Sequence, residues 1–284
     1  MTRLLFAALL LTGCIDTSVE ATTVALSVAG AAPTPFEDRS GSVITLERAE
    51  LAFGPLYLCP GRQAGELCEE ALAEYTDAVV VDALDPARRE VGEMSALTGT
   101  ARSYMYDLGI VSLLGRDAPL VTEAAASLDG ASAVVGGRAD VNGQTIPFTI
   151  AIAVAQSASV EGGVPVVRSS ATEGFELLLR PDGASTLTVR FDPADWLSSA
   201  SFDSLVEDAA CSEGAEVVCA GSVEQRCAAD GGVAEMRDCA DFDQACVRGV
   251  GCVDSVALDA DDAVGRALSI GLTSGARPDF ETAR

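Results

Sequence analysis

The chain has 284 residues, 49% of them hydrophobic, and a formal net charge of −25. That is enough apolar chain for one main domain with a sizeable core and a small appendage, and the acidity repels phosphate backbones, which excludes DNA and RNA as partners. Histidine is absent and all 18 basic residues are arginines, which removes histidine-based triads, imidazole metal ligands, Schiff-base lysines and the lysine of a P-loop.

At the N-terminus Arg3 precedes eight uncharged apolar residues, Leu4 to Leu11. This is the plan of an export signal, and it is too short for a spanning helix, which needs roughly 20 apolar residues. The tetrad Leu11-Thr12-Gly13-Cys14 resembles the bacterial lipobox. The resemblance implies cleavage after Gly13 and acylation of Cys14, so that residues 1–13 are a signal peptide and 14–21 a lipidated tether. An ordinary cleaved signal with a coincidental cysteine is the alternative. Acyl chains contribute about 0.8 kcal/mol per buried methylene, and several of them anchor a protein stably, so the membrane is an expected partner through this lipid. Ile15 is not the aspartate associated in enteric bacteria with inner-membrane retention, which points to the outer membrane of a Gram-negative cell envelope. Loss of residues 1–13 removes Arg3 and no acid, leaving 17 arginines against 43 acids, or −26.

Residues 22–210 read as a β-rich domain. In Thr22 to Ala29, Val24, Leu26 and Val28 alternate with small residues in the manner of a half-buried strand. After a loop with Pro33, Pro35 and Gly41, the run Val43 to Cys59 is long for one strand, and its breaks at Arg48–Glu50 and Gly54-Pro55 predict two strands or a bulge. Cys59 and Cys68 bracket a short loop and are expected to pair; the loop is expected to turn into a helix with Leu67, Leu72 and Tyr75 on one face. Val79 to Val81 predicts a short buried strand, and Ser103 to Leu114 an aromatic one. Tyr104 and Tyr106 lie on one face of that strand, as half-buried packing or a ligand-facing patch. Asn142-Gly143 between two apolar runs predicts a type I′ hairpin, with Pro147 marking an edge or a bulge. A second hairpin is expected from Phe175–Arg180, through Pro181-Asp182-Gly183, to Ser185–Phe191. Pro193 suits the first turn of a helix, and Phe202–Ala209 reads as another short helix. The fold class expected is mainly β, an antiparallel sandwich or barrel-like domain with a small disulfide-rich insertion and a few short helices.

Setting Cys14 aside leaves eight cysteines, an even number, which favours disulfides in an oxidising compartment. Six of them, Cys211, Cys219, Cys227, Cys239, Cys246 and Cys252, fall in residues 211–253, a stretch poor in core residues that crosslinks must stabilise. Zinc fits poorly without histidine or a C-x2-C pair, and spacing leaves the pairing open. Cys-Ala-Gly at 219–221, Cys-Ala-Ala-Asp-Gly at 227–231, Asp238-Cys239 and Gly251-Cys252 resemble cysteine modules of myxobacterial-type secreted proteins, which implies a surface setting and no particular activity. Residues 254–284 carry a predicted helix within Val256–Leu272, acids near its start. Leu268, Ile270, Leu272 and Phe280 need burial, so this segment is expected to return to the β domain.

Carboxylates are the remaining acid–base groups. Asp192 and Asp195 beside Trp196 have the composition of a glycosidase cluster, against which stands a capped turn with a buried tryptophan. Asp238, Asp241 and Asp243, and Asp259, Asp261 and Asp262, have the composition of calcium ligands without EF-hand order, and solvated surface is the competing reading. No cofactor, catalytic residue or metal ligand is assigned. The expectation is a non-catalytic, lipid-anchored envelope protein that binds an envelope or extracellular protein or a small ligand. A β-sandwich carrier of a small apolar ligand and a carboxylate-based hydrolase are the alternatives.

Overall fold

The structure, a computed structural model, describes residues 19–61, 70–111, 119–154, 175–182, 185–206, 210–212, 216–275 and 277–283. Cys14, Cys68 and the whole signal and tether up to residue 18 lie outside the described residues. In chain order come β1 (Ala21–Ala29), β2 (Phe36–Glu37), β3 (Val43–Phe53), β4 (Leu56–Cys59), β5 (Ala73–Tyr75), β6 (Val79–Asp82) and β7 (Arg89–Leu97). β8 (Gly99–Ala101), β9 (Ser103–Tyr106), β10 (Ile110–Val111) and β11 (Leu120–Val121) lead to helix α1 (Glu123–Ser127), β12 (Ala133–Val141) and β13 (Gln144–Ile152). β14 (Leu177–Leu179), β15 (Ser185–Arg190) and helix α2 (Pro193–Leu197) precede β16 (Val217–Ala220), β17 (Val223–Cys227), β18 (Val233–Asp238), β19 (Ala245–Val247) and β20 (Gly251–Val253). Then follow β21 (Val256–Leu258), helix α3 (Ala263–Ile270) and β22 (Asp279–Ala283).

Two large sheets share one core. The first runs β22-β15-β1-β7-β5-β4-β9, and the second β2-β3-β12-β13-β21, with β6 also paired to β3. Most neighbours are antiparallel, but β1 pairs β15 and β13 pairs β21 in parallel. Val24, Leu26 and Val28 of β1 are all buried, as are Leu187 and Val189 of β15 and Ile44, Phe148 and Ile150 of the second sheet. Phe53 sits where the sheets meet, its ring 5.1 Å from Phe191 and 5.4 Å from Tyr106; such aromatic pairs add about 0.5–1.5 kcal/mol beyond their buried area. The chain passes from one sheet to the other at Gly54-Pro55, a cis peptide. Gly54 has φ +116°, and a Cβ there would lie 2.3 Å from the Asp77 carbonyl oxygen, so the corner needs glycine. Opposite β12, the register of β3 slips between Arg48 and Leu46, a bulge near the first predicted break.

The Asn142-Gly143 hairpin forms as β12 and β13, with φ of +50° and +80° at the two turn residues. The other expected hairpin does not. β14 pairs β8, whereas β15 lies between β1 and β22. Alternation identified both strands, but burial of Leu187 and Val189 is met better inside the seven-stranded sheet than in a two-stranded edge. Tyr75, expected on a helix, is in β5 opposite Leu56, because Ala73 and Tyr75 face inward around exposed Glu74. The first residues of the expected helix at 256 instead form β21 against Phe148–Ile150. β21 joins one large sheet and β22 the other, while α3 buries Val264 and Leu268 in the shared core. Among the described residues no helix is long and apolar enough to cross a membrane.

Candidate functional site

The cystine-rich stretch builds its own small body from sulfur rather than from large apolar side chains. Cys211 bonds Cys227, Cys219 bonds Cys246 and Cys239 bonds Cys252. The first bond ties the entering chain to the end of β17, the second joins β16 to β19, and the third joins the 3-10 turn Cys239–Phe242 to β20. Cys219, Cys239 and Cys246 are fully buried against one another and Cys252. Cys59 is also disulfide-bonded; its expected partner Cys68 lies outside the described residues.

β17 is the centre of a three-stranded antiparallel sheet, β16-β17-β18. Its Glu224 is buried, and the carboxylate accepts from the Cys252 N–H at 2.8 Å and from Arg226 Nε at 2.9 Å. Those two donors, the Cys252 amide first, hold the Glu224 carboxyl below its ordinary range. Gly251, at φ +97°, leaves the space: a Cβ there would sit 2.6 Å from Glu224 Oε2. Glu224 and the sulfurs of Cys239 and Cys252 lie within 4.8 Å of one another, but the two sulfurs are joined as a disulfide. The body is joined to the main domain by Ala245 and Val247, which pack in the shared core, by the Arg248 N–H, which donates to the Leu205 carbonyl at 2.9 Å, and by one side chain from the tip of the β12–β13 hairpin. Gln144 donates from Nε2 to the Gly221 carbonyl at 2.9 Å and accepts the Cys246 N–H at 3.3 Å.

The outer strand β18 lies at the edge of this sheet. Among the described residues it pairs with β17 alone, and all six of its residues are exposed. Met236 is 66% exposed and Val233 47%, and on the same body Phe242 and Val250 are each 57% exposed. The Arg237 guanidinium lies 4.2 Å from the centre of the Phe242 ring and donates to Gln244 Oε1. Sequence reasoning did not single out Glu224, Gln144 or this edge. Met236 and Phe242 were the available signal, large apolar residues in a stretch with no apolar core to receive them.

The residues weighed as candidates for chemistry serve structural tasks. Asp192 is the N-cap of α2 and accepts the Ala194 N–H at 3.0 Å, Pro193 starts the helix, and Trp196 is buried. Asp195 is raised above the ordinary carboxyl value, first by desolvation and then by the charges of Asp192 and Asp279. The notch beside Asp192, lined also by Pro33, Phe36, Leu46 and Leu84, has about 10 Å³ of water-sized space, room for one water and not for a sugar ring. Asp238 caps the 3-10 turn through Ala240 N and accepts from Ser222 Oγ. Asp262 Oδ2 accepts the Asp259 N–H. Neither acidic trio brings three carboxylates within 4.8 Å of one another. Tyr104 and Tyr106 are buried and stacked 6.3 Å apart, in contact with Phe175, Phe280 and Phe53. Burial pushes the Tyr106 hydroxyl well above its ordinary value. The tyrosine face is therefore core.

No protein-family model matches the chain, and no curated protein matches it. Among solved structures, MbnP from Methylosinus trichosporium is similar over 66% of this chain and 80% of that one, at 11% identity and a TM-score of 0.32. A likeness this distant carries no argument about function.

Proposed function

We propose that the protein is a lipid-anchored component of the cell envelope, without catalytic activity, whose cystine body is a binding module for another envelope or extracellular protein. The observation that carries the reading is β18: a sheet edge exposed along its whole length, bearing Val233 and Met236 and held by covalent staples rather than by a core of its own. Rigid surfaces bind with less ordering cost than flexible ones, and exposed apolar side chains on a stapled edge suit a partner. The lipobox-like tetrad ending at Cys14 supports the anchor, and the lack of histidine and lysine supports the absence of catalysis.

Two measurements test the proposal. Intact mass of protein extracted from membranes is expected to lack residues 1–13 and to carry acyl chains on Cys14; an unacylated soluble product overturns the anchor. A photoreactive residue at position 236 is expected to crosslink a defined envelope protein in cells, while the same probe at exposed Leu178 on the main domain does not. Equal crosslinking at both positions, or none at 236, overturns the binding module. A saturable hydrolytic activity abolished by one carboxylate substitution would refute the non-catalytic reading.

A further inference from the structure

We infer that β18 takes up an extended, positively charged segment of the partner as a fourth strand of the β16-β17-β18 sheet. The inference rests on the binding-module reading and adds to it the mode of recognition and the chemistry of the partner. A strand's backbone groups alternate between its two sides. The Cys239 N–H donates to the Ser222 carbonyl on the β17 side at 3.0 Å, and the pairing of Arg237 with Glu224 and Glu235 with Arg226 is regular. The two-residue period therefore turns the backbone N–H and C=O of Met236 and the N–H of Asp238 away from β17, toward the free edge; the Asp238 carbonyl belongs to the 3-10 turn it caps.

Natural sheets protect such edges with charged side chains, lysine above all, with proline, a bulge or a covering element. β18 contains no proline or lysine but carries Glu235, Arg237 and Asp238, and its register shift falls at the Val233 end, leaving Glu235–Asp238 straight. The three disulfides hold the edge in place before binding, so most of the ordering cost falls on the incoming segment. Alternate side chains give such a segment apolar contact with Met236 on one face of the sheet, and with Phe242 beside Arg237 on the other.

Charge selects the occupant. Residues 211–254 contain nine acids and three arginines. Arg226 is spent on Glu224 and Arg237 is laid over Phe242. Among the described residues Glu235, Asp238, Asp241 and Asp243 have no ion-pair partner. A second copy of the chain, formally −25 as well, would set like charges against one another across the new pairing, which is destabilising. A segment alternating basic and apolar residues would be complementary in both respects.

The test uses the full acylated protein in detergent micelles and three short synthetic peptides, read by fluorescence anisotropy. One alternates arginine and valine, the second has glutamate in place of arginine, and the third is the cationic peptide methylated at alternate backbone nitrogens. The cationic peptide is expected to bind saturably at low salt and more weakly as salt rises. The acidic peptide is not expected to bind, and methylation should weaken binding by at least about tenfold. Met236→Pro, at a position whose N–H the fold does not use, is expected to abolish binding without changing the disulfide pattern. Met236→Lys, on a side chain that is 66% exposed, gives the same loss if the proline variant does not fold. Equal binding of plain and methylated peptides, binding of the acidic peptide, retention by both Met236 variants, or no binding up to about 1 mM each overturns the inference. A cellular crosslink from position 236 that survives alongside any of these outcomes leaves the binding module standing and removes only strand addition.

Discussion

Glu224→Gln isolates the charge of the carboxylate at the centre of the cystine body. The substitution keeps shape and volume, which matters because a Cβ on Gly251 would already be 2.6 Å from Glu224 Oε2. It changes the 2.8 Å bond from the Cys252 N–H from a charged to a neutral acceptor. A hydrogen bond to a charged group contributes about 1.5–3 kcal/mol and a neutral one about 1, so the expected loss is roughly 0.5–2 kcal/mol. At neutral pH, with the Cys252 amide exchanging by local opening of the body, that corresponds to about 2–30-fold faster exchange. The folded-state carboxyl lies below its ordinary value of 4.5. Its stabilisation is therefore fully present above that value and is lost as pH falls through the lower, folded value. The difference between wild type and Glu224→Gln should close over that acid range, since protonated glutamate and glutamine are then equivalent acceptors. Hydrogen exchange followed by mass spectrometry at neutral and acid pH measures it. Equal exchange at neutral pH, or a gap that persists unchanged into acid, would refute the reasoning.

Three further outcomes follow from the same geometry. Gln144→Ala removes both hydrogen bonds between the hairpin tip and the cystine body; about 1–3 kcal/mol is expected to be lost, seen as faster exchange in residues 216–254 with the main sheets unchanged. Asp38 is buried and accepts from Ser40 N, Ser42 N and Phe202 N at 2.8–2.9 Å, so Asp38→Ala leaves buried donors unpaired and should cost at least about 3 kcal/mol in urea unfolding, with unchanged m. The double variant Cys239→Ser, Cys252→Ser opens a crosslink of sequence separation 13. About 3 kcal/mol is the expected loss on the loop-entropy account, and limited proteolysis should cut first within 216–254.

The hairpin at Asn142-Gly143 was legible because its information is local: two positive-φ residues between alternating strands specify the turn, the register and the buried face at once. The capped turn at Asp192-Pro193 was legible for the same reason. Partners of separated strands were not. Ser185–Arg190 alternates well enough to be recognised, yet nothing in those residues states that β1 lies on one side in parallel and β22 on the other. The acidic trios and the Asp192–Trp196 cluster show the converse, since side chains close in sequence were assigned to caps and turns by backbone donors within reach.

Residue type and short-range period were enough for a mainly β fold, for several strands of the shared core (β1, β3, β9, β12, β13 and β15 among them), and for the exclusion of histidine and lysine chemistry. Only the tertiary structure decided which cysteines pair, that Glu224 is buried beneath Gly251, that Gln144 holds the cystine body to the hairpin, and that β18 is a bare edge. Those properties depend on contacts between residues far apart in the chain. Gln144 and Cys246, 102 positions apart, make such a contact, and no local pattern encodes it.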